Sequence, residues 1–149
     1  MLLTPHILTG VAIMAKVQNP ILGLLLVFLS HYFLDCFPQE EYEIENIKKG
    51  CWHKSFWEFF KVFLDIAFGF LVILLLTEVN ILIFIAAFLA ILPDGFTLLF
   101  VIFSNNKLLK IHNAFHQKIN YFFKDKKISP FWGILSQVAV IAVAIFLLL

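Results

Sequence analysis

The sequence predicts an all-α membrane helix bundle formed by a single domain over residues 1–149. Of its residues, 62% are hydrophobic and only 14% are charged, whereas an ordinary soluble domain is about half apolar and about a quarter charged. Long apolar runs alternate with short polar segments, a pattern typical of membrane-spanning helices. We therefore expect about five helical segments and one further amphipathic helix at the membrane surface.

The first apolar stretch, residues 2–37, is interrupted at Gln18-Asn19-Pro20. Thr4-Pro5 and Asn19-Pro20 each have the form of an N-cap residue followed by proline at the first helical position. We expect two helices, over about residues 5–17 and about residues 20–36, folded back as a tight hairpin. At about 1.5 Å per residue, each is shorter than the ~30 Å hydrocarbon core, which is compatible with a partly re-entrant hairpin.

The rest of the chain divides in the same way. A polar segment over residues 38–54 is followed by a membrane helix over Lys54–Leu76. The third helix is expected to begin at Asn80, to break at Pro93-Asp94-Gly95 and to resume as far as Phe103. An amphipathic helix over residues 104–127 and a final membrane span over Phe131–Leu149 complete the chain. The predicted break frees backbone groups at membrane depth, which is tolerated where the backbone lines a cavity.

The lysines indicate the orientation of the bundle. They cluster in residues 48–54 and 104–127, which this topology places on one side, whereas Lys16 lies at the opposite end. The positive-inside rule makes the lysine-rich side cytoplasmic. We therefore expect a multi-pass protein of the inner membrane with a cytoplasmic N-terminus. The N-terminal residues lack the charged n-region typical of a cleaved signal peptide. The net charge of +1 does not indicate a nucleic-acid-binding protein.

Ionisable side chains inside membrane segments are costly and usually functional. This chain has a set of them, namely His6, His31, Asp35, Asp65, Asp94, His112 and His116. Helix rise alone gives their depths. His6 lies 11 residues before Val17 and His31 lies 11 residues after Pro20, so the two return to one depth, about 16 Å from the turn. Asp35 follows His31 by one turn. A second turn is expected at Val79-Asn80, 14 residues after Asp65 and 14 residues before Asp94, so these two aspartates also share a depth.

His112 and His116 are also one helical turn apart. On a helical wheel they share a face with apolar residues, which are Leu108, Phe115, Ile119, Phe122 and Phe123, while the lysines lie opposite. This face should pack against the bundle. All these groups can converge near the cytoplasmic side, where imidazole and carboxylate ligands would suit zinc, and also iron or manganese.

Plainer interpretations stand beside the metal site. Each residue taken singly is compatible with a structural hydrogen bond between helices, and His53 in a loop has no evident site role. The two cysteines, Cys36 and Cys51, have no zinc-site spacing and are expected to be packing or loop residues.

Four short motifs carry a resemblance to a known family. They are Thr4-Pro5-His6, Ser30-His31-x-x-x-Asp35, Leu92-Pro93-Asp94 and His112-x-x-x-His116, and they resemble elements of predicted membrane-bound metal-dependent hydrolases, a family of small bacterial membrane proteins. The resemblance implies a metal site more strongly than any substrate. Related proteins tend to carry a histidine where this chain has Gln39, so Glu40 or Glu41 would have to substitute for it here.

The leading functional prediction is a metal-dependent hydrolase of a lipid or another membrane-associated ester, in particular a phosphoester. The predicted ligands are His6, His31, Asp35, Asp94, His112 and His116, enough for one or two ions, with Asp65 as an outer-sphere group or general base. Lys107 and Lys110 could attract an anionic headgroup.

Two other functions remain open from the sequence. One is a metal-ion or proton carrier that uses the same cluster as a transit site, although the chain is short for a carrier and would need to form an oligomer. The other is a non-catalytic scaffold in which the polar cluster holds helices together. A polar path across the whole bundle would favour the carrier, and a fully hydrogen-bonded cluster would favour the scaffold.

Overall fold

A computed structural model describes residues 2–37, 39, 44–78, 80–120 and 129–149, and within these ranges the chain is helical with no strand. The helices are α1 (Leu3–Lys16), α2 (Pro20–Asp35), α3 (Glu45–Lys48), α4 (Phe56–Leu76), α5 (Ile81–Ile102), α6 (Lys107–Asn120) and α7 (Pro130–Leu148), with a short 3-10 turn at Trp52–Lys54. The predicted all-α bundle is confirmed. Glu40, Glu41 and the last part of the predicted amphipathic helix, residues 121–127, lie outside the described residues.

The predicted fold-back at Asn19-Pro20 is confirmed. Helix α1 ends at Lys16, and the Asn19 side chain accepts hydrogen bonds from the backbone N–H groups of Ile21 and Leu22 at the start of α2. Pro20 occupies the first turn, where its missing N–H costs nothing. The two helices then pack against each other as an antiparallel pair.

The predicted N-cap of α1 is wrong. The helix already begins at Leu3, so Thr4 lies inside its first turn. The carboxylate of Asp65 on α4 does the capping instead, accepting from the N–H groups of Leu3 at 2.5 Å and Thr4 at 3.1 Å. The Thr4 hydroxyl also donates to Asp65 at 2.6 Å. A carboxylate at a helix N-terminus both satisfies free donors and complements the helix dipole, and here it joins α4 to α1.

Helix α1 is the centre of the bundle, which the sequence does not predict. It packs against α2, α4, α5 and α7, and ten of its fourteen residues are buried. The helices approach closely at Gly10, where an added Cβ would stand 2.7 Å from Cβ of Ala90 and 3.1 Å from a methyl of Val27. Small residues at such crossings let helix backbones approach closely. Gly10 thereby brings α1, α2 and α5 together one turn from His6.

The predicted break of the third helix is wrong. Helix α5 continues through Pro93, Asp94 and Gly95 to Ile102. Proline lacks an N–H, so the carbonyl of Leu89 loses its usual partner four residues on, but the neighbouring turns keep helical geometry. No unwound segment therefore lines a cavity here.

Within the part of the chain that the structure describes, three helices, α4, α5 and α7, are long and apolar enough to cross a membrane, and the apolar helix α2 is shorter. Their outward faces carry large apolar side chains such as Phe63, Leu75, Phe88 and Phe146, each more than half exposed. Contiguous exposed apolar surface on this scale marks a membrane-contacting protein. Membrane association therefore follows from the fold as well as from composition.

Candidate metal centre

Four side chains from three helices bring one ligand atom each to a common point. They are His31 and Asp35 on α2, Asp94 on α5 and His116 on α6, and the four ligand atoms all lie within 4.8 Å of one another. His31, Asp35 and His116 are at most 2% exposed, whereas the Asp94 side chain is 33% exposed. The cluster is thus enclosed on three sides and open at Asp94.

The spacing of these atoms is close to that of the ligands of a tetrahedral metal ion. His31 Nε2 lies 3.1 Å from His116 Nε2 and 3.1 Å from Asp35 Oδ2. His116 Nε2 lies 2.9 Å from the same Asp35 oxygen. Asp94 Oδ1 is farther, at 3.8 Å from His31 Nε2 and 3.7 Å from His116 Nε2. Four ligands placed about 2.0–2.1 Å from a tetrahedral ion would be about 3.3 Å apart, which lies inside this observed range.

The backbone carbonyl of Ala90 fixes the orientation of His31. It lies 2.7 Å from Nδ1 of the ring. Because a carbonyl only accepts, the proton of neutral His31 is on Nδ1 and the lone pair is on Nε2. Metal-ligating histidines are commonly oriented in this way by a second partner. The ring therefore presents a free lone pair to the common point.

Thr97 plays the corresponding part for His116. Its hydroxyl lies 3.2 Å from Nδ1 of the ring and donates to the carbonyl of Pro93 at 3.3 Å. When the hydroxyl donates to Pro93, its oxygen can accept from Nδ1–H of His116. In that tautomer Nε2 of His116 presents its lone pair toward Asp35 and His31, as binding of a metal ion requires.

Asp35 joins the two sides of the cluster. Its Oδ2 faces His31 and His116, while its Oδ1 lies 3.3 Å from Nε2 of His6 and accepts from Nε2 of Gln39 at 2.9 Å. A buried carboxylate is strongly disfavoured unless positive charge or several donors surround it. The donor set of imidazole and carboxylate, and the burial of Asp35, both fit a divalent cation.

His6 is packed against this group without a hydrogen-bonding partner. Its side chain is 1% exposed, its ring stacks on His31 with centroids 4.2 Å apart, and both ring nitrogens are buried without a hydrogen bond. Although Asp35 is near, the contact lacks hydrogen-bond geometry. Buried unpaired polar atoms are rare in folded proteins and call for an explanation such as an ion.

His112 lies beside the four-atom group and not within it. Its Nε2 is 3.0 Å from the hydroxyl of Tyr32, and its ring stacks on His116 with centroids 5.7 Å apart. Burial lowers the pKa of His112, and nearby His116 and His31 lower it further. Nε2 of the neutral His112 ring can thus accept a hydrogen bond from the hydroxyl of Tyr32. The predicted ligand role of His112 stays a prediction.

Asp65 has the capping position described above, with both carboxylate oxygens engaged by the first turn of α1. Asp65 thus makes a structural contact that joins α4 to α1. Its predicted role as general base stays a prediction that no contact described here supports.

Three residues that contact the site histidines were not predicted from the sequence: Tyr32, Ala90 and Thr97. Helical periodicity could have identified Ala90 and Thr97, because these residues and Asp94 are spaced i, i+4 and i+7 and share a face of α5. Tyr32 has no such signal, since only the packing of α6 against α2 brings His112 to its hydroxyl.

Comparison of the chain with protein-family models, with curated proteins and with solved structures finds no match. The resemblance to membrane-bound metal-dependent hydrolases therefore rests on the four short motifs alone. The residues of those motifs at positions 6, 31, 35, 94 and 116 are the ones the fold brings together.

Proposed function

We propose that this chain is a membrane-embedded, metal-dependent hydrolase of a lipid or another membrane-associated ester. The observation that carries the proposal is the buried cluster of two histidines and two carboxylates at metal-ligand spacing, with one corner open at Asp94. This donor set suits zinc, and also iron or manganese. A divalent ion held there would lower the pKa of a bound water toward about 7 and polarise the ester.

The four residues would not contribute equally to metal binding. The three closest atoms, on His31, His116 and Asp35, form a compact two-histidine, one-carboxylate face of the kind that leaves further positions open. Asp94 is the most distant and the only one with appreciable exposure. Because of that exposure it can give way to water or substrate, and its carboxylate is then placed to accept a proton from the attacking water.

An enzyme fits the distribution of polar groups better than a carrier does. Among the described residues, the buried side chains in the half of the bundle beyond the site are apolar, including Val11, Met14, Val27 and Ile83. A transit pathway would need polar groups or water at that depth. The cluster therefore stands at the end of the bundle where α1 begins and α2 ends, without a polar continuation through the described core.

A lipid-like substrate is supported by an apolar groove along α1, α2 and α7, with a volume of about 750 Å³. Its lining residues include Ser30, which precedes His31, and Leu34, which precedes Asp35. Such a groove offers an acyl chain a place beside the helix that carries two of the ligands. Lys107 and Lys110 are exposed at the start of α6, and an anionic headgroup would be attracted there.

The test is a screen of the purified protein, reconstituted in lipid with added zinc, manganese or iron, against phosphoester and carboxylic-ester lipids. We expect metal-dependent release that Asp35→Ala abolishes and that the exposed-loop control His53→Ala leaves unchanged. Release that survives Asp35→Ala would refute the assignment of the site. Metal flux in liposomes without release from any substrate would favour the carrier.

A further inference from the structure

The ring of His6 is a buried polar group whose position the four-atom site does not explain. Neither of its nitrogens makes a hydrogen bond, although the side chain is 1% exposed. A histidine that merely held helices together would be expected to bond a carbonyl or hydroxyl, as His31 bonds Ala90. His6 instead turns Nε2 toward Oδ1 of Asp35, at 3.3 Å.

His6 and His31 meet the same carboxylate in parallel. Nε2 of His31 faces Oδ2 of Asp35 at 3.1 Å, and Nε2 of His6 faces Oδ1 at 3.3 Å. The two rings are stacked 4.2 Å apart with an interplanar angle of 24°. Ions bound by two such stacked rings would be separated by about the ring spacing, which is close to the roughly 3.5–4 Å found in two-metal sites.

Gln39 supplies a further oxygen at this position. Its amide nitrogen donates to Oδ1 of Asp35 at 2.9 Å, while its amide oxygen is buried without a hydrogen bond. Exchange of the two amide atoms by a flip of the side chain would bring Oε1 next to Oδ1 of Asp35, the oxygen that also faces His6. Amide oxygens are acceptable ligands for hard divalent cations.

We propose that a second divalent cation binds between His6 Nε2 and Asp35 Oδ1, with Gln39 as a third ligand, so that Asp35 bridges two ions. The first ion is the one assigned to His31, Asp35, Asp94 and His116. Two ions at this separation stabilise the attacking and leaving oxygens of a phosphoryl transfer. On the hydrolase function proposed above, the substrate is therefore a phosphoester of a membrane lipid or of a similar amphiphile.

The test measures manganese binding by the full chain in detergent, with stoichiometry from calorimetry and the magnetic coupling of the ions from electron paramagnetic resonance. We expect two ions per chain and the spectrum of a coupled pair. His6→Phe keeps a stacked ring but removes both nitrogens, so it should retain one ion with the spectrum of an isolated centre. His53→Ala, in the exposed turn after α3, is the matched histidine control and should keep the coupled pair.

The outcomes separate the two proposals. A single uncoupled ion in the wild-type chain would overturn the second site and leave the first intact, whereas no bound ion would overturn both. A coupled pair that persists in His6→Phe would overturn the assignment of His6. If His6→Phe does not fold, Gln39→Glu provides a second test. A carboxylate at this position should lower the dissociation constant of the more weakly bound ion by about tenfold or more. An unchanged dissociation constant for that ion would overturn the second site.

Discussion

Replacement of Thr97 by valine tests how His116 is held. Valine has nearly the shape of threonine but no hydroxyl, so Nδ1–H of His116 would lose its hydrogen-bond acceptor. Because His116 is only 2% exposed, water would not replace that acceptor. Loss of such an outer partner commonly lowers metal affinity by about 10–100-fold. Because the two hydrogen bonds of Thr97 are long, at 3.2 and 3.3 Å, we expect the lower part of that range, about tenfold or about 1.4 kcal/mol.

The chain offers a matched control for this change. Thr77, just after α4, also donates its hydroxyl to the carbonyl four residues back, Ile73, at 2.9 Å, but it contacts no histidine in the described contacts. Thr77→Val therefore removes the same kind of backbone contact without touching the site. The assay is zinc binding by calorimetry with chelator competition, together with thermal unfolding of the metal-free proteins. Equal zinc affinity of Thr97→Val and Thr77→Val would refute the assignment of Thr97 as the group that orients His116.

Three further predictions concern stability. Asp65→Ala removes the cap of α1 and should lower the free energy of unfolding of the metal-free protein by about 0.5–2 kcal/mol, while zinc affinity in calorimetry stays close to wild type. Gly10→Ala forces a Cβ to 2.7 Å from Ala90 and should destabilise the bundle by about 1–3 kcal/mol in thermal or denaturant unfolding. Zinc at a hundred times its dissociation constant should stabilise the wild-type chain by about 2.7 kcal/mol, and Asp35→Asn should lose most of that gain.

Each of these has an outcome that contradicts it. If Asp65→Ala abolishes turnover at unchanged stability, Asp65 acts in catalysis and not as a cap. Gly95→Ala is the control for Gly10, because no atom lies within 4 Å of its added Cβ, and it should be neutral or stabilising by up to about 1 kcal/mol. A similar loss in both glycine variants would mean that close packing against Ala90 is not the cause. A zinc-dependent rise in melting temperature that persists in Asp35→Asn would place the ion elsewhere.

Part of the site follows from helix geometry. Because every residue of an α-helix adds the same rise, counting residues from the turn at Asn19-Pro20 places His6 and His31 at one depth, and the structure stacks their rings. The i, i+4 spacing of His31 and Asp35 similarly fixes their common face. These relations need no knowledge of neighbouring helices, so the sequence is sufficient for them.

The depth of a residue along the bundle axis does not determine which side chains it contacts. Asp65 and Asp94 have matching depths in the sequence, yet Asp65 caps α1 and Asp94 faces the histidines. Their separation depends on the rotation of α4 and α5 about their axes, which is decided by packing against α1. The same applies to His112 and His116: His116 lies 2.9 Å from Asp35, whereas His112 lies 3.0 Å from the hydroxyl of Tyr32.

The sequence by itself determined that the chain is an apolar, all-α bundle, where its first hairpin turns, and that histidines and aspartates gather near one end. These properties depend on hydrophobic content, on proline and asparagine at helix starts, and on a constant rise per residue. Only the tertiary structure decided that α1 is the central helix, that α5 continues through Pro93, and that Ala90 and Thr97 orient the two ligand histidines. Those features arise from side-chain packing between helices distant in sequence, where a close contact such as that of Gly10 with Ala90 sets the rotation and spacing of the helices.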